Sequence, residues 1–399
     1  MAGRPRPRPR LRVLGAGPPQ LGLLEAARAR ADLDVIAVDR DPQAVGFAQA
    51  DERAVLSTED EEGIDRLARA REVAGIVSPG ADWPVGIAAR IAERLRLPHP
   101  IDARTGAIAT SKARQREAFA AAGVPHARAL DPRDPALAFP CVVKAPDRQG
   151  QRGLALVTNR ADLDAALEEA LAESRSGSAL VEEHVEGPEV TVNAFSFDGR
   201  FTPLTVTDRL TADPPAFGVA LAHAWPSLHD EEPIVEVARA AVEALGIREG
   251  PSYTQLRVGP GGPVVMEVAA RLGGGHDAEL CRAATGVDLN ALAITAALGE
   301  PACNDHLQGA VRAGGAAVVF LVPPEGRLVE VGGVEEARTV DGVEWVRVYR
   351  RPGHVFGPFL RGADRAGAVL ATGDTRGDAL ERARRAAGAV RFRVDADAA

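Results

Sequence analysis

A lysine closes an apolar strand at Cys141-Val-Val-Lys144, and a loop bearing two glycines, Gln149-Gly150-Gln151-Arg152-Gly153, follows it. This pairing can cradle phosphate: the lysine supplies charge and the loop supplies N–H donors. A mobile surface loop beside a solvated lysine is the plain alternative. Glycines 150 and 153 would let the loop open and close as a lid. The spacing is not G-x-x-x-x-G-K-[ST], so this is no Walker loop. Further on, Tyr253–His276 reads as a hairpin that runs into a glycine series. Gly259-Pro-Gly-Gly-Pro263 supplies a five-residue loop. Pairing Val258 with Val264 then sets Gln255 opposite Glu267, with Ala269 on the same face. That face presents an amide, a carboxylate and a methyl group. Arg271 follows, and then Gly273, Gly274 and Gly275, whose N–H groups can face an anion beside a helix N-terminus. An ordinary hairpin with one charged residue is the competing reading.

Two more clusters stand out. Glu182, Glu183 and Glu189 fall within one strand–bend–strand, broken at Gly187-Pro188. They either solvate a sheet edge or recognise a hydroxyl-rich ligand. His223, close before Pro226, is either structural or a ligand contact.

The elements that carry these residues follow from periodicity. Residues 11–100 alternate strands (Leu11–Leu14, Asp34–Asp39, Ala74–Ser78) with helices, which is the pattern of a parallel α/β sheet. Gly15-x-Gly17 followed by Asp39 invites a dinucleotide reading, but Gly22 falls two residues late for it. Plain α/β architecture is preferred. Asp82 is a good cap for the helix running to Arg96. Thr110-Ser-Lys112 opens a helix that stops at Gly123. Asp162–Glu173 is amphipathic, with Leu163, Ala166, Leu167, Ala170 and Leu171 on one side. Asp198-Gly199 marks a hairpin turn. Pro233–Leu245 has a full apolar stripe. Helices across 277–298 divide at Gly286. The end piece holds strands at Ala316–Val322, Glu344–Arg350 and Ala366–Ala371 and a helix at Asp378–Ala387.

Length and composition bound the rest. A chain of 399 residues with 46% hydrophobic residues and mean hydropathy −0.08 can build a substantial core in two to three domains. A net charge of −9 excludes a nucleic-acid footprint, which needs a basic face. The longest apolar run is too short to span a bilayer, so no membrane partner is expected. Cys141, Cys281 and Cys303 form neither a disulfide frame nor a zinc site, which fits a reducing cytoplasm. The arginine–proline start, residues 1–10, reads as a disordered tail.

Taken together, Lys112, Lys144 with its loop, the Glu182–Glu189 stretch, and Gln255, Glu267 and Arg271 in this order resemble the ATP-grasp superfamily over about 110–276. The flanks are similar as well. Leu272-Gly-Gly-Gly-His276 and the end piece most resemble the L-amino-acid ligases, within the biotin-carboxylase-like group. The resemblance implies a mixed α/β fold in three parts: a parallel, Rossmann-like pre-ATP-grasp domain (11–108), an ATP-grasp domain with a lid (109–310, lid about 127–183), and a β-rich C-terminal lobe (311–399). It implies ATP and Mg2+ (or Mn2+) as cofactors, small carboxylate and amine substrates, a possible homodimer, and ligation through an acyl phosphate to an amine (or thiol) with release of ADP and phosphate. Lys112 and Lys144 would contact ATP phosphates, and Gln149, Gly150, Gln151, Arg152 and Gly153 would fold over them. Glu182, Glu183 and Val185 would frame adenine, and Glu189 would take the ribose. Glu267, with Gln255, would hold the metal. Arg271 would steady the transferring phosphoryl. His223, Gly273, Gly274, Gly275 and His276 would border the substrate. The chain departs from the family's Glu–Glu–Asn trio with Gln255, Glu267 and Ala269, and Val319 replaces a familiar arginine. A single ion, a substitute acid at Asp277 or Glu279, or a nucleotide-binding module without turnover each fits that departure.

Overall fold

The computed structural model describes residues 8–301 and 304–395. Most of the expected tail, and Cys303, lie outside the described residues. Arg10 already opens the first strand.

The chain begins with β1 (Arg10–Leu14), α1 (Leu21–Arg28), β2 (Asp34–Asp39), β3 (Glu52–Val55), α2 (Glu61–Ala70), β4 (Gly75–Val77), α3 (Trp83–Leu95) and α4 (Ala103–Ala109). The strands form an all-parallel sheet in the order β3-β2-β1-β4. Its centre is buried on both faces by helices and is apolar apart from Arg12, which donates to the Ile64 carbonyl of α2 at 2.8 Å. The Asp39 carboxylate accepts the N–H groups of Ala16 and Asp41, each at 2.9 Å. It therefore ties down the glycine turn and is not left over for a ribose. Leu11, Val13, Val35 and Ala37 share one core with Leu272, Ala278, Cys281 and Ile294. The glycine run thus begins on a rigid footing against the first sheet.

Next come α5 (Lys112–Ala122), β5 (Cys141–Lys144), β6 (Leu154–Val157), α6 (Leu163–Glu173) and β7 (Leu180–Glu183). Ser111 caps α5 through the N–H of Arg114, and Gly123 ends it with φ of 70°. The three strands make a small antiparallel sheet, β6-β5-β7. It rests on α6 through Cys141, Val143, Val157, Leu163, Ala170 and Val181. Leu171, expected on the apolar side, is 43% exposed.

The remainder is β8 (Glu189–Phe197), β9 (Arg200–Thr211), β10 (Ala220–Trp225), α7 (Glu231–Ala244), β11 (Gly250–Gly259), β12 (Gly262–Ala269), α8 (Asp277–Thr285), α9 (Leu289–Leu298), β13 (Gly315–Leu321), β14 (Gly326–Gly332), α10 (Val334–Arg338), β15 (Val343–Val348), β16 (Val355–Phe356), β17 (Gly367–Gly373), α11 (Arg376–Ala389) and β18 (Arg391–Asp395). One eight-stranded sheet, β12-β11-β8-β9-β10-β13-β17-β15, continues through residue 310 into the C-terminal part. Asp198 and Gly199 turn β8 into β9 with φ of 50° and 74°, the double positive φ of a type I′ turn. Asp230 caps α7, which therefore starts two residues before Pro233. Ile234, Ala238, Ala241, Val242 and Leu245 from α7 pack with Leu256, Val265 and Val268 of the hairpin. Each large aliphatic buried there contributes about 1.5–3 kcal/mol. The C-terminal strands fall within two residues of expectation. The short α4, α10, β3, β14, β16 and β18 carried too little periodicity to be read.

Candidate functional site

The hairpin differs from expectation in its turn. Gly259 pairs with Gly262 and Val258 with Pro263, so the loop is the two residues Pro260-Gly261 rather than five. A bulge then leaves Met266 without a partner between the Leu256–Val265 and Gln255–Glu267 pairs. The two departures cancel, and Gln255 stands opposite Glu267 as expected. Both Met266 and Glu267 face the same cleft, which adjacent residues of a strand do only at such an irregularity. Because β12 is an edge strand, its outer backbone groups need partners. Gln115 supplies them to Val268, accepting its N–H at 3.0 Å and donating to its C=O at 2.8 Å. Arg116 donates to the C=O of Met266 at 2.6 Å. Helix α5 thereby fixes the strand that carries Glu267.

A cleft with about 790 Å³ of empty space, partly open to solvent, lies between the small antiparallel sheet and the hairpin. Lys112, Lys144, Gln149, Gly150, Gln151, Arg152, Glu182, Glu183, Val185, Glu189, Gln255 and Glu267 all line it. Gly153, Arg271, His223 and Gly273–His276 do not.

Lys112 pairs with Glu267 at 2.9 Å and donates to the Arg148 carbonyl at 2.7 Å. Burial raises the Glu267 pKa, but the Lys112 ion pair outweighs it and holds the carboxyl below its ordinary value. Lys144 pairs with Glu182, which also accepts from Arg116 Nε at 2.7 Å. Burial pulls Lys144 down to about 8, with Glu182 opposing. The loop 149–153 takes left-handed φ at Gly150 (68°), Gln151 (64°) and Gly153 (60°). A side chain at 153 would crowd Glu173 and Ala145, so glycine is needed there for space as well as for φ.

Glu189 is 7% exposed and already accepts from Arg209, from Arg257 at 2.9 Å and from Gln255 Nε2 at 2.9 Å. The Gln255 amide is therefore engaged with Glu189. The Val185 carbonyl accepts from Arg257 at 3.0 Å. Glu183 pairs with Arg128 at 2.7 Å. The expectation missed the cleft's apolar walls, Val142, Leu154, Phe217 and Met266, and its basic residues Arg148, His184 and Arg257. Only Arg257 carried a signal, lying two residues from Gln255 on the same face.

Asp82 corrects the expectation in a second way. It makes no capping bond to α3. Its carboxylate instead holds Arg271, with Asp82 Oδ1 at 2.7 Å from Nε and 2.6 Å from Nη2. Burial raises its pKa while Arg271 lowers it. The Asp82 N–H donates to Gln149 Oε1, so the 149–153 loop also reaches the start of α3.

The glycine run is not simply a row of free donors. The Gly275 N–H is taken by Asp277 at 2.9 Å, and a side chain on Gly275 would stand 2.8 Å from His223 Nε2. Gly274 packs against the Gly80 carbonyl, and a side chain at Gly273 would strike Asp277. His223 Nδ1 meets Asp277 Oδ1 at 2.9 Å, both almost fully buried. The pair holds Asp277 below its ordinary value against the opposing effect of burial. His276 turns away from the glycines. Its ring contacts Glu279 at 3.0 Å and the Tyr349 hydroxyl at 2.5 Å, and lies against Trp345. Neither Asp277 nor Glu279 lines the cleft: Asp277 meets His223, and Glu279 meets His276 and Arg347. Among the described residues, no group of three or more His, Cys, Asp or Glu converges on one point. Among the described carboxylates that line the cleft, Glu182, Glu183 and Glu189 each hold at least one arginine, whereas Glu267 is paired with a lysine and no arginine. One hard cation shared with phosphate oxygens and water fits it, and a two-ion site does not.

Residues 137–279 match the family model of an ATP-grasp domain, and residues 319–395 match that of L-amino acid ligase C-terminal domain 2. The chain is 29% identical over 381 residues to the uncharacterized protein y4rH of Sinorhizobium fredii, covering 89% of this chain and 77% of that one. Its fold is similar to the L-amino acid ligase from Bacillus licheniformis, with TM-score 0.82, 22% identity, and 98% and 100% of the two chains covered. It is also similar to the biotin carboxylase domain of 2-oxoglutarate carboxylase from Hydrogenobacter thermophilus, solved as a dimer with MgADP, ADP and bicarbonate. There the TM-score is 0.77 at 18% identity, over 96% of this chain and 90% of that one.

Proposed function

Because the chain belongs to the ATP-grasp superfamily, we propose that it is an ATP-dependent ligase that joins a small carboxylic acid or amino acid to an amine and releases ADP and phosphate. The observation that carries this reading is one cleft lined from one wall by Lys144 and its loop and from the other by the Lys112–Glu267 pair.

A carboxylate is a poor electrophile. Its attack on the γ-phosphorus makes an acyl phosphate and ADP. The amine then attacks the acyl carbon, and phosphate leaves. A protein serves such transfers mainly by positioning and by neutralising charge. In this reading Lys112 and Lys144 exchange their carboxylate partners for phosphate oxygens. Residues 149–153 close over them as part of a lid spanning about 127–183. Glu182, Glu183 and Val185 stand at the adenine end and Glu189 at the ribose, with Phe217 as an apolar wall. Glu267 would hold magnesium, which supplies charge neutralisation between the phosphates. Arg271, set by Asp82, faces the acyl group, and His223 and Gly273–Gly275 border it. His276 anchors the turn from behind. The division into 11–108, 109–310 and 311–399 follows these roles. Cys141 and Cys281 are free, which supports a cytoplasmic setting, and the dimeric carboxylase domain supports a homodimer.

The test is ADP release with pooled amino acids and small carboxylic acids in the presence of magnesium. Stimulation by an acid–amine pair is expected. Intact nucleotide binding with no stimulation by any pool would overturn the reading in favour of a binding module.

A further inference from the structure

We infer that Arg365 determines specificity by seating a substrate carboxylate other than the one that is activated. The inference rests on the ligase reading and names the substrate class it serves.

Arg365 lies between the short turn Gly362–Asp364 and β17. Its guanidinium stacks on Phe320, with Cζ 3.7 Å from the ring centroid. Nε donates to the Gly362 carbonyl at 2.7 Å, and the only other protein contact of its fork is a long 3.5 Å approach to the Ala220 carbonyl. Among the described residues no carboxylate pairs with it. Arg116, Arg209, Arg271 and Arg347 by contrast each have one, in Glu182, Glu189, Asp82 and Glu279. Arg12 also lacks an acid, but it is sealed at 0% exposure under α2. Arg365 stays within reach of solvent. A guanidinium held among packed groups without an anion is costly, and burial draws its pKa down to about 10, so it remains charged at neutral pH.

Its place sets its role. Tyr349, Arg209, Asp277 and Tyr253 are the titratable groups that act on it, and Arg271 and Asp277 act on Tyr253 in turn. The Phe320 ring on which Arg365 lies is 5.9 Å from the ring of His223 and 6.5 Å from that of His276, centroid to centroid, so Arg365 shares Phe320 with the His223–Asp277 pair. Arg365 does not line the cleft that holds Lys112, Lys144 and Glu267. Val319, where the resemblance led us to look for an arginine, packs with Ala222, Ala317 and Ala371 toward α11. The C-terminal part brings its cation to the opposite face, on Phe320. Stacking fixes the plane of an arginine and leaves its outer edge for a two-pronged carboxylate contact.

Two sources supply such a carboxylate: the second acid group of a dicarboxylic substrate, or the carboxylate of an amino acid acting as the amine. The experiment takes the acid–amine pair found by ADP release and replaces each non-reacting carboxylate in turn by its amide. Wild type should lose about 10–100-fold in kcat/KM with one of the two amides, mainly through KM, and which amide does so identifies the source. Arg365→Leu should show the same loss with the parent pair and no further loss with that amide, and Arg365→Lys should fall between. ATP KM should not change in either variant. Indifference of the wild-type enzyme to both amides would overturn the proposal without needing a folded variant. If no pair supports turnover, thermal shifts of the protein loaded with an ATP analogue decide the matter. Dicarboxylates and amino acids must stabilise wild type over their amides, and Arg365→Leu must abolish the difference. Equal shifts would overturn the proposal.

Discussion

Replacing Glu182 by Gln tests the electrostatics of the nucleotide cleft most directly. The Glu182 side chain is 2% exposed and binds two cations, Lys144 (11%) and Arg116 (5%). Glutamine keeps the volume but removes the charge that offsets both. Breaking a buried pair by deleting one partner costs about 3–5 kcal/mol, because the charge left behind is unsolvated. The cost falls on β5 and β7, which pair through Val142–Glu182. Protection of the amides of these strands against hydrogen exchange should fall by about two to three and a half decades, at about 1.4 kcal/mol per decade. Lys144 should also lose its proton at a lower pH, so affinity for an ATP analogue should weaken at neutral pH. In Glu182→Gln/Lys144→Met the stranded ammonium is gone, so the double variant should be more stable than the sum of the single changes by at least about 1 kcal/mol. Loss of less than about 1 kcal/mol in Glu182→Gln, or strict additivity in the double variant, would show that Lys144 does not depend on Glu182.

With Lys144 drawn down to about 8 by burial, Kd for an ATP analogue should be flat below pH 8 and rise about tenfold per pH unit above it, as the ammonium that favours phosphate is lost; a flat profile from pH 7 to 9.5 contradicts this. Burial pushes Glu279 up, but His276 and Arg347 outweigh it and bring the carboxyl from 4.5 to about 2. A depressed folded-state pKa stabilises fully above about 4.5 and ceases to do so as pH falls toward 2, an effect of about 3 kcal/mol. Glu279→Gln should therefore lower the melting temperature at pH 7 and bring little change near pH 2 in calorimetry. Gln255→Glu puts a second carboxylate opposite Glu267, so Mn2+ titration of the nucleotide complex should rise from one ion to two, and an unchanged count argues against the single-ion site. Arg175 joins the end of α6 to Glu59 and lies 4.7 Å from the Trp83 ring, so Arg175→Ala should raise KM for ATP about three- to tenfold. Because Glu59 is 42% exposed, the part of that effect due to the ion pair should shrink in high salt.

Residues whose role follows from local pattern were legible in the chain. Lys144 ends an apolar strand and is followed by glycines, and α7 writes its stripe at helical spacing. The caps at Ser111, Gly123 and Gly286 can be read from single residues. What could not be read is the partner across the fold. Asp82 looks like a cap because caps are local, yet its carboxylate closes on an arginine 189 positions later. Gln255 looks like a ligand because it faces Glu267, yet its amide goes to Glu189 on the neighbouring strand. Arg365 sits in a polar turn and acquires meaning only when β13 brings Phe320 beneath it. In each case competing partners of equal chemistry exist along the chain, and tertiary packing chooses among them.

The hairpin shows how a correct placement can rest on compensating local departures. A five-residue loop with no irregularity and a two-residue loop with one extra residue both set Gln255 against Glu267. They differ at Met266, which the bulge turns into the cleft beside Glu267. Hydrophobic alternation specifies which side a strand buries, and a bulge leaves that specification intact on both flanks. Nothing in the alternation of β12 therefore marks the extra residue. Arg116 marks it instead, because its bond to the Met266 carbonyl satisfies a group that the bulge takes out of the ladder. The same side chain holds Glu182 at the other wall of the cleft. One arginine on α5 thus links the irregularity that presents Glu267 to the acid that keeps Lys144 in place, and so bridges the two walls of the cleft.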